Sequence, residues 1–352
     1  MDFELTPDQE LLRETVRRFL AEQAPIGYVR ARYDAPSVGH DRVWDGLCAL
    51  GVLGLGMCDS LPVLEELGRA LCPAPYASSS VGAAPLARGE LARRLTAGEA
   101  IGTVALHEPG RRYEWRSPAT RAVPGTDTGW RLTGVKVHVP DGAGADVLLV
   151  TATDPDGVLG LFAVERGAAG VAAVPTPTVD GSRKHARVEL RDAPAARIGA
   201  DATDAVARAV DRLAVAAVVD AVGAAGRALE MTVEHAKQRV QFGRPIGSFQ
   251  AVQHLCADML RAVELARAAA YYACWALDEA DAAEAHRAAT IAKAFASESL
   301  TRVGADAIQV FGGIGFTWEH DVHLFYKRLL TCSAALGGAG EHLAELARIA
   351  IG

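Results

Sequence analysis

The stretch QRVQFGRPIGSFQAVQH, Gln238 to His254, decides how this chain is read. A strongly helical run from Ala224 to Val240 meets Phe242-Gly243 and then Arg244-Pro245, and the helical pattern resumes after a short polar break. Gly and Pro punctuate turns between helices anywhere, yet this turn also carries chemistry. A guanidinium such as that of Arg239 donates two parallel hydrogen bonds to oxyanions and suits a pyrophosphate. Phe242 offers a stacking face, and Gly243 lets the backbone approach a flat ligand. Arg244-Pro245 stiffen the turn, and Gln250 opens the next helix.

On both sides of this turn the chain is Ala-rich and periodic. Val252, Leu255, Cys256, Met259, Leu260 and Val263 form one helical stripe. Segments near 203–240, 249–280, 284–310 and 319–335 predict four long helices packed as a bundle, occupying 201–352. The region 93–200 has a different texture. TVALHE, GWRLTGVKVHV, ADVLLVTAT, GLFAVE and HARVELR are short runs of strand formers between Gly, Pro and Asp turns, which predicts a small antiparallel β domain. Residues 1–92 read as helical, starting with an amphipathic helix capped by Thr6 or Asp8. Helices, then strands, then helices in series give an α+β chain.

The 352 residues suffice for two or three domains. A net charge of −7 without a basic tract argues against a nucleic-acid partner. No stretch reaches the roughly 18 apolar residues of a membrane helix, and the acidic start MDFELTPDQE does not read as a signal peptide. The six cysteines are scattered without a Cys-x-x-Cys pair, which suits a soluble protein in a reducing cytoplasm and predicts no metal site.

A second run, DAIQVFGGIGFTWEHD (Asp306 to Asp321), places Gly312, Gly313 and Gly315 between two helices. A Rossmann loop follows a strand instead, so the dinucleotide fingerprint fails on context. The amide of Gln309 beside a Gly-Gly backbone can still hold a polar cofactor edge. His320, Asp321 and His323 read as cap and surface, GSRKHAR (Gly181 to Arg187) as an exposed β-turn, and Gly51, Gly54 and Gly56 as permitting close helix packing.

Together the two runs resemble the C-terminal signatures of the acyl-CoA dehydrogenase family, flavoproteins that oxidise acyl thioesters. LTPDQELLRETVRRFLAE, LCALGVLGLG, VLEELGRALCPAP and LTGVKVHVPDGAGADVLLV also resemble family segments, in family order. The resemblance implies a helical N-terminal domain, a central β domain and a C-terminal four-helix bundle. It implies FAD between the β domain and the bundle, reached partly across a subunit interface, with Arg239, Gln241 and Phe242 on one side and Gln309, Val310, Phe311, Gly312 and Gly313 on the other. It further implies an acyl-CoA substrate, an electron-transfer flavoprotein or similar acceptor, and assembly as a dimer of dimers.

The base is where the chain departs from the family. Abstraction of a thioester α-proton needs a pre-positioned, partly desolvated carboxylate. Aligning Arg328 with the family arginine puts Gly337 where the usual Glu belongs, and the position used by a minority of members falls near Leu213. Glu341 lies one turn on, roughly 5.4 Å away along a helix, and Asp211 lies near Leu213; both remain candidates. The flavin face is altered too, with His107 in place of a Thr and His138 and Pro140 in place of a Trp and a Thr. The expectation is a degenerate subunit that completes a shared FAD site while a homologous partner donates the base. A self-sufficient enzyme with a non-standard base, a flavin monooxygenase and a non-catalytic structural subunit are the alternatives.

Overall fold

The computed structural model describes residues 4–111, 113–125, 129–199 and 201–351. Met1, Ala200 and Gly352, at which the expected regions begin or end, lie outside them. The chain folds as two units, each drawn from separate stretches of sequence. One comprises Met1–Arg30, Met57–Cys72 and Ala214–Gly352, the other Ala31–Gly56 and Pro73–Leu213.

The first unit is helical. Helix α1 (Pro7–Gln23) starts at Thr6, whose hydroxyl accepts from the Gln9 amide while the Gln9 side chain returns to the Thr6 N–H. This capping box satisfies two otherwise orphaned donors. A short α2 (Ile26–Arg32) follows, and α4 (Met57–Arg69) is buried along nearly its whole length. The Ala-rich runs form α6 (Thr203–Gln238), α7 (Gln250–Glu279), α8 (Ala282–Phe311) and α9 (Val322–Ala334). A fifth helix, α10 (Ala339–Ile351), was not anticipated. It has no buried residue, although its apolar side chains recur at helical spacing.

Helices α4 and α6 meet backbone to backbone. A Cβ on Gly68 would lie 2.0 Å from the Asp220 carbonyl oxygen, and one on Gly223 would lie 1.9 Å from that of Glu65. Buried charges ring this contact. Glu66 takes a bidentate contact from Arg17 of α1 at 2.6 and 2.9 Å. Glu65 accepts from the Tyr271 hydroxyl at 2.9 Å and from Arg267, both on α7. Asp220 faces Arg328 of α9 at 3.0 Å, and the Arg328 side chain is wholly inaccessible. Buried acids thus tie α1, α7 and α9 to one crossing.

In the second unit the strands are β1 (Gly102–Ala105), β2 (Arg121–Pro124), β3 (Trp130–Pro140), β4 (Val147–Thr153), β5 (Leu159–Glu165), β6 (Val171–Thr176) and β7 (His185–Arg197). The path β4-β2-β3-β7-β5 closes on itself because β5 also pairs with β4. β6 adds to β7. The sheet is mixed, which corrects the all-antiparallel expectation: β1 and β2 both run parallel to β4. β4 is buried in six of its seven residues. Helix α3 (Arg42–Ala49), a π-helical turn (Ala77–Ala83) and α5 (Gly89–Thr96) belong to the same unit.

One further expectation is corrected here. GSRKHAR is not an exposed turn: Lys184 is buried and donates to the Arg32 and Tyr33 carbonyls at 2.8 and 3.0 Å. Gly51 and Gly54 have φ of 70° and 73° and form turns, and Gly54 also permits close packing on α5, where a Cβ on it would lie 2.7 Å from Thr96. Among the described residues no helix is long and apolar enough to cross a membrane.

The strands converge on a buried pair. Lys136 Nζ lies 2.8 Å from Glu108 Oε1, which also accepts the Thr120 N–H and hydroxyl. Burial works against the Glu108 charge, but the Lys136 ammonium and these bonds outweigh it and bring its pKa down to about 2 from an ordinary 4.5.

Gly223→Ala forces a methyl into backbone, and is expected to cost about 3 kcal/mol in urea unfolding. Gly226→Ala on the same helix meets nothing nearer than an Arg267 nitrogen at 3.7 Å, and is expected to stabilise by up to about 1 kcal/mol. A folded-state pKa below the unfolded one means that the Glu108 contribution is complete above pH 4.5 and lost as pH falls toward about 2. The wild-type unfolding midpoint should therefore drop more steeply over that window than that of Glu108→Gln, in which an unpaired Lys136 costs about 3–5 kcal/mol at neutral pH.

Candidate functional site

Helix α6 ends at Gln238, and the chain reverses in a two-residue hairpin in which Val240–Gln241 (β8) pairs with Arg244–Pro245 (β9). Phe242 and Gly243 hold its central positions with φ of 52° and 77°. Positive φ at both is the type I′ geometry that matches strand twist, and a phenylalanine there is uncommon. Nor does burial compensate, since Phe242 is 93% exposed. Its ring meets Phe249 edge-on, and the Arg244 guanidinium lies 4.2 Å over that same ring. Arg239 and Gln241 are exposed beside it. Turn chemistry alone explains Gly243 but not Phe242.

The second motif forms the end of α8. Gly312 caps the helix at φ 66°, and residues Gly312–Phe316 make a short 3-10 turn. Gln309, Gly312 and Gly313 are exposed, whereas the Val310 and Phe311 side chains turn inward. Phe311 is what joins the two motifs. Its ring stacks on His235 of α6 at 4.3 Å and 22°, and on the other side meets His320 at 4.3 Å. Burial, helped by His320 and Arg239, lowers the His235 pKa; burial also lowers that of His320. His320 Nδ1 accepts the Val322 N–H, so its reading as a cap stands, and Asp321 pairs with Arg30 at 2.7 Å. His323 is buried, not on the surface, and its Nε2 has no hydrogen-bond partner. Among the described residues no cluster of His, Cys, Asp or Glu has the arrangement of a metal site.

The segment that would carry a base is shaped otherwise. After α9 the chain passes Leu336 at φ 56° and Gly337 at φ 104°. The Gly337 carbonyl accepts from Lys293 Nζ at 2.9 Å, and the same ammonium reaches Cys332 O, Ser333 O and Ser297 Oγ at 3.0, 2.8 and 2.9 Å. Burial pulls this ammonium down to about 8 from an ordinary 10.5. Lys293 thereby satisfies the orphan carbonyls at the end of α9. The Glu341 carboxylate accepts the Gly338 N–H at 3.1 Å, half of a capping box for α10. Leu213 packs against Gly82 of the π-helical turn, and Asp211 is half-buried on α6. Neither candidate carboxylate stands at position 337.

Within the sheet unit, His138 sits in the β3 irregularity at φ 52°, with its ring 6.3 Å from His185. His107 and His185 are both pushed down to about 4, chiefly by burial and then by His138, and His107 Nδ1 has no partner. Reading the sequence missed Lys293, Asp220 and His235 as structural determinants. The first two left a trace: each is a lone charge inside an otherwise apolar helical run, AATIAKAFA and AVVDAVGAA.

Because Gly337 combines φ 104° with His342 Nε2 only 3.1 Å from any added Cβ, Gly337→Glu is expected to lower stability by about 1–3 kcal/mol. Chemical unfolding checks this; an unchanged midpoint would show that the segment accepts a side chain.

Comparison with known proteins agrees with this architecture. Residues 203–350 match the family described as "Acyl-CoA dehydrogenase, C-terminal domain". Acyl-CoA dehydrogenase IpdE2 of Mycobacterium tuberculosis is 32% identical over 364 residues, covering 97% of this chain and 98% of its own. The homologous IpdE2 of Mycolicibacterium smegmatis is 31% identical over 358 residues, with 97% and 98% covered. A solved structure named "Tcur3481-Tcur3483 steroid ACAD G363A variant" superposes with a TM-score of 0.89 at 31% identity, over 99% of both chains. The ChsE4-ChsE5 complex from Mycobacterium tuberculosis does so with a TM-score of 0.89 at 29% identity, over 100% of this chain and 99% of that one. With its helical start, central β region and C-terminal helices, this chain belongs to the acyl-CoA dehydrogenase family of FAD-dependent oxidoreductases.

Proposed function

We propose that this chain is one subunit of a hetero-oligomeric acyl-CoA dehydrogenase, in which a homologous partner supplies the catalytic base. The observation that carries the reading is the asymmetry of its sites. The hairpin and the Gly-Gly corner are intact and present donors, while position 337 is a glycine whose carbonyl is held by Lys293.

The residues present fit FAD. Arg239 would bind the diphosphate through its guanidinium, Gln241 would donate alongside it, and Phe242 would stack on a flat ring. Gln309 and the exposed backbone of Gly312 and Gly313 would border the other side. Bound there, FAD supplies the two-electron acceptor for α,β-dehydrogenation of a thioester. This chain orients and shields; it takes no α-proton, because Gly337 has no side chain and the Glu341 carboxylate caps α10.

Two structural relatives carry paired names, and one of those names includes the word steroid. The substrate class we propose is accordingly an acyl-CoA of steroid or lipid origin. An electron-transfer flavoprotein or similar acceptor would reoxidise the enzyme, and the assembly would be a tetramer. Six free cysteines fit a cytoplasmic protein.

The test is to purify the full chain alone and together with a homologous chain that has Glu at the position equivalent to 337. The expected outcome is a flavin-containing complex that reduces a dye with acyl-CoA, and no turnover by this chain alone. Arg239→Met should weaken FAD binding by about 1.5–3 kcal/mol, roughly ten- to hundredfold. Turnover by the lone chain, abolished in Glu341→Gln or Asp211→Asn, would replace this reading with a self-sufficient enzyme.

A further inference from the structure

Two histidines at the cofactor corner serve neither catalysis nor metal binding, and their geometry is specific. His235 stacks on one face of Phe311 nearly in parallel at 4.3 Å, while His320 lies against the other side at the same distance. His235 also accepts the Arg239 N–H on its carbonyl at 2.8 Å, so one residue touches both motifs. The hairpin is otherwise held by the Ile246 N–H on the Arg239 carbonyl at 2.8 Å and by Phe242 and Arg244 against Phe249. Its strands are two residues long, and Arg239 to Arg244 are all exposed. A hairpin of that size is not stable by itself.

We infer that His235 and His320 are positioning residues: as neutral rings clasping Phe311, they hold the Arg239–Pro245 hairpin in register with the Gln309–Gly313 corner. The inference rests on the reading of that corner as the FAD site. A proton on either imidazole would add a cation to a place that already faces one. Around His235 the charged and titratable groups are Arg239 on its own segment and His320 opposite; around His320 they are Asp321, His323, Arg30 of α2, and His235. Asp321, paired with Arg30, favours a charged His320, but burial outweighs it. Burial of both rings acts in the same direction. Neutral rings thus favour the clasp, and protonation loosens it.

The experiment uses the full chain and reads amide hydrogen exchange across 239–249 together with FAD titration followed by flavin fluorescence. In His235→Ala the hairpin amides are expected to exchange about tenfold faster and FAD to bind about tenfold more weakly, the upper range of an aromatic pair's contribution. The double variant His235→Phe, His320→Phe keeps aromatic rings against Phe311 without either proton site. It should match wild type at neutral pH, and should retain FAD on acidification through the histidine range, where wild type loses it. Unchanged exchange and FAD affinity in His235→Ala, with Arg239→Met still weakening FAD, would overturn the inference and leave the site reading in place. If Arg239→Met also has no effect, the site reading itself fails. Should His235→Ala not fold, the pH comparison decides alone, and parallel profiles for wild type and the double variant His235→Phe, His320→Phe overturn the proposal.

Discussion

The backbone contact between α4 and α6 is the constraint on which the helical unit depends. Gly68 and Gly223 let the two helices approach until main-chain oxygens occupy the space where side chains would begin. Such an approach removes water from everything nearby, and the polar groups caught there must be paired with one another. Glu65, Glu66 and Asp220 are those groups, and their partners Arg17, Arg267, Tyr271 and Arg328 come from three other helices. Close packing and ion pairing are therefore a single device. Breaking one partner leaves a charge stranded where solvent cannot reach it.

The Asp220–Arg328 pair carries that constraint into the candidate site. It fixes α9, and Lys293 then closes the end of α9 by gathering the carbonyls of Cys332, Ser333 and Gly337. A segment held by main-chain oxygens on a buried ammonium has a set conformation whatever its side chains. In this chain it displays a glycine at a φ that other residues avoid. The backbone around position 337 thus suits a glycine there and disfavours any larger residue. Restoring chemistry there would require changing the clamp along with the glycine.

The hairpin and the Gly-Gly corner carry exposed donors, an exposed aromatic on a strained turn, and an open backbone, as the proposed FAD role requires. Phe311, clasped by His235 and His320, connects these parts. Such a surface, in a chain with glycine at 337, is what the proposed shared site calls for. In the β unit, burial and then His138 lower the pKa of His107 and His185.

How much was legible beforehand follows from the range of the forces involved. Periodicity is local, and it located the four long helices and the strand-rich middle. Turn chemistry is local as well, and it marked the Phe242-Gly243 reversal, the Thr6 cap and the Gly312 corner. The absence of a carboxylate at 337 needed no coordinates. Tertiary structure alone decided that β1 and β2 run parallel to β4, because strand direction is set by the chain's path and not by its alternation. It alone showed that Lys184 is buried, that Val310 and Phe311 face inward, and that a clasp of histidines unites two motifs far apart in sequence. A lone Asp220 or Lys293 in an apolar run announces a buried charge; only the packed chain brings the partner that makes such a charge tolerable.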